Sequence, residues 1–475
     1  MNEQVSTDIS FKLVEPRYLP PLDKEFRPAI LANLAFKREA AIEGVPLVLA
    51  LERDNGRVSR FETMIIPHGH PQAARNFPYV ERLLKFLLWQ RGGYKVYIGG
   101  PIEVGEYLRK VYAPDGARRF DSHFMGEQVY ERPFSVLPCA VDEVPVANEP
   151  GIPLGRNLDG CRIGFDLGAS DRKVSAVIDG KVVYSEEVIW APRTQADPNY
   201  HYHEIKKALG TAASKLPRVD AIGGSSAGIY IDNRPMVASL FRGIPPDRFA
   251  EIKNLFLRIQ AELNVPLEVI NDGDVTALAG SMSLEDNGVL GIALGSSEAA
   301  GFVDMNGHVL GWLNELAFAP VDYSPAAPME EWSGDSGCGA SYFSQQCVFR
   351  LAPRVGIQPP AEISDAKKLE YVQEKLEAGH EGAAKIWESI GVYLGYTLAH
   401  YADFYDFKHV LLLGRCTSGK GGTLILDGAN QVLREEFPEL FARIHLQLPD
   451  EKSRRVGQSI AAASLPVIGQ ESQKR

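Results

Sequence analysis

Apolar and polar residues alternate or run in short blocks along this chain, and the blocks end at glycine, proline or asparagine. PLVLALERDNGRVSRFETMII reads as strand, turn at Asn55-Gly56, strand, because that dipeptide favours the positive φ of a hairpin turn. Val80, Leu83, Leu84, Leu87 and Leu88 fall on one helical face, and KVYIGG follows as a buried strand. The stretch from 140 to 160 has three prolines, three glycines and little periodicity, which predicts a break in the chain's organisation. We expect an N-terminal α/β domain over 1–150 and a linker over 151–160.

After the break the pattern changes. RIGFDLGA is a buried strand ending at glycine, and KVSAVIDGKVVYSEEVIW is a hairpin turning at Asp179-Gly180. A helix is expected near 203–215, then the strand VDAIGGSSAG. A long helix is expected near 247–263, with Phe249, Ile252, Leu255, Phe256 and Ile259 at helical spacing. PLEVIND is a strand, and GDVTALAGSM starts a helix. GVLGIALGSS and AAGFVDMNGHVLG make a further strand and hairpin, and a helix-rich stretch over 365–403 leads to the strand of VLLLGRCTSGKGG. Strand, hairpin, helix and strand thus occur twice, which predicts two similar α/β halves facing a cleft, about 161–285 and 286–475.

With 475 residues the chain is long enough for two or three domains. A formal charge of −11 and no dense Lys/Arg cluster argue against nucleic acid as a partner. No apolar run approaches the roughly 18 residues of a membrane span, and the N-terminus lacks the order of a signal peptide. Five scattered cysteines read as reduced thiols, so a cytoplasmic protein is expected.

Four loops have residues suited to chemistry. In DLGASD, Asp166 ends a strand and Gly168 and Ser170 form a small-residue turn. Such a turn lets backbone approach a phosphate and a carboxylate reach Mg²⁺ through water, although a tight hairpin has the same look. In VINDGD, Asp272 sits where a strand gives way to a helix, either as a helix cap or as a base exposed at the strand tip beside Asn271. In ALGSSEAAGF, Gly295, Ser296 and Ser297 offer hydroxyl and N–H donors, or make an ordinary hairpin. In GRCTSGKGG, Gly414 and Gly419-Lys420 have Walker A spacing, but Gly421 stands where Ser or Thr would hold Mg²⁺. The P-loop spacing is therefore read as coincidence, with Gly414 as a close-approach glycine. His68 and His70 have no third ligand in view and read as loop residues.

The order of these loops resembles the actin, hexokinase and heat-shock-chaperone ATPase fold. More narrowly, residues 161–475 resemble the ROK family of sugar kinases and repressors. FDLGAS resembles that family's first phosphate loop, VINDGDVTALAG its Asn-Asp catalytic segment, GVLGIALGSS its second phosphate loop, and GHVLGWLNELAFAPVD its Gly-Glu-Ile-Gly-His segment. GDSGCGASYFS resembles its cysteine-rich segment. The resemblance implies two ribonuclease-H-like α/β halves around a cleft, with an added N-terminal α/β domain. It implies ATP-dependent phosphorylation of a sugar or sugar-like polyol, with Asp272 as general base. Asn271, Glu315 and Gly228 would face the substrate. Asp166, Gly168, Ser170, Gly295, Ser296, Ser297 and Gly414 would face the nucleotide, with Mg²⁺ reached by Asp166 through water. The implied partners are a small sugar or polyol and a nucleotide, not nucleic acid or membrane, and homo-oligomerisation stays open.

The departures from the family carry expectations too. Phe318 stands at the zinc-binding histidine, Glu331 and Ser333 at two of the cysteines, and Ala340 at a second sugar glutamate. A structural zinc usually needs four Cys or His ligands, so no zinc site and a more apolar sugar pocket are expected. Ala169 replaces a glycine, Ser296-Ser297 replace Thr-Gly, and Glu298 brings an anion close to the triphosphate. The rival reading is a catalytically degenerate sugar or nucleotide sensor or scaffold on the same fold.

Overall fold

Fifteen strands in four sheets carry the described residues of this computed structural model, namely 11–149, 154–449 and 451–468, with the side chains of 451–456 excepted. In the N-terminal part, β1 (Val45–Glu52) pairs antiparallel with β2 (Val58–Ile65) and β3 (Lys95–Gly99), and β4 (Ser135–Cys139) adds parallel to β3. The β1–β2 turn places Asn55 and Gly56 at φ 61° and 67°, as the Asn-Gly dipeptide predicts.

The middle of the chain builds a five-stranded sheet. β5 (Cys161–Leu167), β6 (Asp171–Ile178) and β7 (Lys181–Ile189) form an antiparallel meander. β8 (Ala221–Ser226) lies parallel to β5. After a small hairpin, β9 (Ile229–Ile231) and β10 (Arg234–Val237), β11 (Leu267–Asn271) joins the parallel edge. The second half repeats the plan with β12 (Val289–Leu294) and β13 (Glu298–Val303) antiparallel, then β14 (His409–Leu413) and β15 (His445–Gln447) parallel, in the order β13-β12-β14-β15.

Three expectations need correction. The second half's hairpin lacks a full return strand, and only a bridge between Val303 and Val309 remains. Its chain leaves the sheet because the N–H groups of Asn314 and Glu315 donate instead to the carbonyls of Gln90 and Trp89, at the end of the N-terminal helix Asn76–Arg91. The long helix expected near 247–263 is broken into Phe249–Lys253 and Leu255–Leu263 at Asn254. The helix placed at 203–215 begins earlier, at Pro198, where Asp197 caps it and proline at the first position needs no N–H partner. The C-terminal helix also packs on the sheet of the first half. Helix Glu451–Ala463 crosses back onto β5 and β8, because a Cβ on Gly164 or Gly223 would strike the carbonyl oxygens of Ser459 or Ala462.

The division near residue 150 marks a change of sheet and not of core. Phe26, Leu84, Phe86 and Trp89 belong to one apolar cluster with Tyr342, Trp387, Tyr393 and Tyr401 of the second half. Residues 151–153 of the expected linker lie outside the described residues. The rest is tied down: Arg156 Nη2 donates to Ser281 Oγ and Asn287 Oδ1, and Asn157 Nδ2 donates to Ser464 O.

Candidate active site

The ends of β5, β8 and β11 bring the chemistry-bearing residues of the first half to one place. Asn271 closes β11 and caps helix Asp272–Leu284, its Oδ1 accepting from Gly273 N at 2.7 Å. Its Nδ2 donates to Gly228 O at 2.8 Å, which fixes the loop after β8. Gly228 itself sits at φ 121°, a backbone state open to glycine. So the cap of this helix is Asn271. The neighbouring Asp272 is half-buried, and its carboxylate accepts from the N–H of Gly273 at 3.0 Å. Burial, then the nearby Asp166 carboxylate, pushes Asp272 up to about 6.

Asp166 ends β5 on the same side. Its Oδ1 accepts from Ser225 Oγ at 2.8 Å, and Lys173 Nζ lies 3.7 Å from its Oδ2. Burial holds its pKa above the usual carboxylate value. Lys173 also reaches Asp171 at 3.1 Å, and Ser170 Oγ donates to Asp171 Oδ2 at 2.9 Å. The first loop is closed on itself, with Gly168 N donating to Asp171 O at 2.9 Å. Burial alone would raise Asp171, but Lys173 and Ser170 outweigh it and hold its carboxylate low, aided by Arg415 from the loop after β14. Lys173 escaped the sequence reading, although it shares a strand face with Asp171 by simple alternation.

The second half supplies the opposite wall. Gly295 closes the β12–β13 turn by donating to Ser297 O at 3.0 Å, and its carbonyl accepts from Gln345 N at 2.9 Å. Ser296 and Ser297 are exposed at that turn. Glu298 does not crowd them. Its side chain turns into the core at 3 % exposure, where Tyr401 Oη donates to Oε1 at 3.2 Å. Burial pushes it up to about 8. Glu315 is half-buried, and burial followed by the Asp272 and Asp274 carboxylates pushes it up to about 7. Asp274 is buried by the same helix, accepts from Asn314 Nδ2 at 2.9 Å, and is likewise raised to about 7, chiefly by burial.

Gly414 has φ 92°, and a Cβ there would sit 2.3 Å from the carbonyl oxygen of Leu294, so it is a close-approach glycine between β14 and β12. Lys420 begins helix Lys420–Glu436 and is engaged by Glu377. Its Nζ donates to Glu377 O at 2.9 Å and its backbone N–H to Glu377 Oε1 at 2.8 Å. We therefore expect Lys420→Ala to leave nucleotide affinity within about twofold in a titration, because an exposed lysine of this kind contributes little.

The segment carrying Cys338 is held by the N-terminal part. Phe318 stacks on Trp89 at 4.2 Å, and Phe124 and Trp332 close on the same ring at 6.4 and 5.4 Å. Asp335 receives Arg82 at 2.6 Å, Lys85 at 2.8 Å and Arg118 at 2.8 Å. Glu331 is exposed, and Ser333 N donates to Glu330. The turn of the N-terminal hairpin also reaches the site. Arg53, Asn55 and Arg57 line a cavity with Gly228, Asn271 and Asp274.

No protein-family model and no curated protein matches the chain. Solved structures do match. A ROK hexokinase from Thermus thermophilus superposes with a TM-score of 0.50 at 16 % identity, covering 64 % of this chain and 97 % of that one. A ROK-family transcriptional regulator, a homolog of the E. coli MLC protein, gives 0.50 at 20 % identity, covering 77 % and 89 %. Identities this low establish architecture and leave chemistry open. The chain has the fold shared by ROK kinases and regulators, with α/β halves around a cleft.

Proposed function

We propose that the protein is an ATP-dependent phosphotransferase acting on a hydroxyl of a sugar or sugar-like polyol. The observation that supports this best is the division of labour at the end of β11. Asn271 takes the capping role, and Asp272 is left at the strand tip with a pKa raised to about 6. A base is most useful when its pKa lies near the working pH. Asp272 accepts the proton of the attacking hydroxyl at its carboxylate. Glu315 orients the substrate by accepting from its hydroxyls. Asn271 and Gly228 shape the same wall through their mutual hydrogen bond.

Gly168, Ser170, Gly295, Ser296 and Ser297 line the phosphate side, and Gly414 keeps the third loop close to β12. Magnesium ordinarily binds through one or two carboxylates and the substrate's own phosphates. Asp166 fits that role through water, with Lys173 as a second positive group beside it. Among the described residues no three acidic, His or Cys groups converge tightly enough to cage a metal. When bound, the ion would neutralise phosphate charge, and the protein's part is to position the groups.

The working setting proposed is the cytoplasm, with no nucleic acid or membrane partner; no described helix is long and apolar enough to cross a membrane. The 1–150 segment is proposed as an added α/β unit that braces the second half. Purified protein is expected to carry no stoichiometric zinc, with elemental analysis as the check, since Phe318 is packed among aromatic rings and Glu331 points to solvent.

A sensor without turnover is favoured by one observation: Asp171 already engages Ser170 and Lys173, which a phosphate would otherwise use. A coupled ADP-release assay over a panel of sugars, aminosugars and polyols decides between the two. Sugar-dependent release carries the kinase reading. Binding without release from any member carries the sensor.

A further inference from the structure

We propose that the N-terminal hairpin turn completes the substrate site, and that Arg57 in that turn binds an anionic group, carboxylate or phosphate, carried by the sugar. The inference rests on the phosphotransferase reading, which sets the sugar against Asn271 and Gly228, and it names the substrate class.

The cavity beside Asn271 and Gly228 has one wall from outside the two α/β halves. Arg53, Asn55 and Arg57 come from the turn between β1 and β2. That turn is held on several sides. Arg53 N–H donates to Arg57 O at 2.8 Å, and Asn148 Nδ2 donates to Gly56 O at 2.8 Å. Asn55 Nδ2 reaches across to Asp232 Oδ2 at 3.2 Å, in the turn between β9 and β10. Arg57 is thus presented by a fixed backbone, which lowers the ordering cost of binding.

The charges around this cavity do not cancel. Asp54, Asp232, Glu268 and Asp274 line it, and each is already engaged. Asp54 Oδ1 accepts from Arg132 Nε at 3.0 Å, Asp232 from Asn55, and Asp274 Oδ1 from Asn314 Nδ2 at 2.9 Å. Glu268 has a partner as well. Arg53 is paired with Glu149 at 2.9 Å. Arg57 differs. It is half-buried, and among the described residues its guanidinium has no hydrogen-bond or ion-pair partner. Gly311 leaves room beside it. Its φ is 63°, and a Cβ there would stand 3.3 Å from Arg57 Nη1.

Arg53 adds an independent observation. It is 3 % exposed, and its Nε has no partner among the described residues, although its Nη1 donates to Gly311 O at 2.7 Å. A buried donor left unmatched is costly. Two guanidinium groups therefore border one cavity, and one of them lacks a counter-charge. A neutral hydroxyl would leave that charge unmatched. A carboxylate or phosphate neutralises it and accepts from the planar fork through two oxygens, the strong form of such contacts. The chain's formal charge of −11 offers anions no general attraction, so an anion preference here has to come from local groups.

The test is isothermal titration of the full chain at neutral pH with gluconate, glucuronate and glucose 6-phosphate against glucose and sorbitol. At least one anionic sugar is expected to bind about tenfold or more tighter than its neutral counterpart, the worth of a hydrogen bond to a charged group. Tighter binding of the carboxylates identifies a sugar acid, and tighter binding of the phosphate a sugar phosphate. Arg57→Gln should erase the preference. Arg57→Lys should recover part of it, because the charge stays and the fork is lost. If Arg57→Gln fails to fold in a thermal melt, the wild-type discrimination and Arg57→Lys still decide. Equal or tighter binding of the neutral compounds, no binding of any anionic sugar, or a preference that survives Arg57→Gln overturns the proposal. The kinase reading is scored separately by ADP release. Phosphorylation of neutral sugars alone sinks the anionic substrate and keeps the kinase, and Arg57-dependent binding of an anionic sugar without ADP release does the reverse.

Discussion

Asp272→Asn should lower turnover by about 10²–10⁴-fold while substrate binding survives, since this is the usual worth of a general base. The substitution keeps shape and most hydrogen bonding but removes the proton acceptor. It should not disturb folding, because the helix cap belongs to Asn271. Side-by-side ADP-release kinetics of wild type and variant, with a thermal melt of each, check this. Turnover at the wild-type rate would remove Asp272 from the chemistry. The pH profile gives a second reading. The base works only when ionised, and burial has raised Asp272 to about 6, so wild-type kcat/KM should climb with pH through about 6 and then level. Asn271→Ala should behave differently. It removes the cap and the tie to Gly228, and loss of a cap typically costs about 1 kcal/mol of stability.

The largest effect on stability should come from a residue outside the chemistry. Asp335→Asn is expected to destabilise the protein by roughly 3–5 kcal/mol, the typical cost of removing one partner of a buried ion pair. Lys85 is fully buried, and its remaining carboxylate would be Asp121 at 3.5 Å. Arg82 and Arg118 lose a partner as well. Urea denaturation should show a lower midpoint, and a midpoint unchanged within error would mean that the cluster contributes nothing net. The pH dependence has a definite sign. Burial opposes ionisation of Asp335, but Lys85, Arg82 and Arg118 outweigh it and hold its folded pKa well below the unfolded value of about 3.9. Its contribution is therefore present above about pH 4 and is lost as pH falls towards the folded value. These three cations come from the N-terminal part and grip the segment around Cys338, so the N-terminal residues act as a cross-link there. Without them the two parts of the shared core have less to hold them in register.

The sequence by itself determined the strand-and-hairpin plan, because period-two and unbroken apolar runs ending at glycine leave few alternatives. It placed Asp166, Asn271, Asp272 and Gly414 at strand ends, since local pattern says where a strand stops, whereas Glu315 came only from the family resemblance. Local pattern does not say where a side chain points or what it meets. Tertiary structure alone decided that Asn271 and not Asp272 caps the helix, because both residues suit that position and only the geometry separates them. It alone turned Glu298 away from the phosphate turn and into the core, because the direction of the first residue of β13 depends on the register against β12. It alone joined the N-terminal residues to the second half's core and set Asp335 among three cations. Those contacts link positions more than two hundred residues apart, and no periodicity along a chain encodes a pairing over that distance.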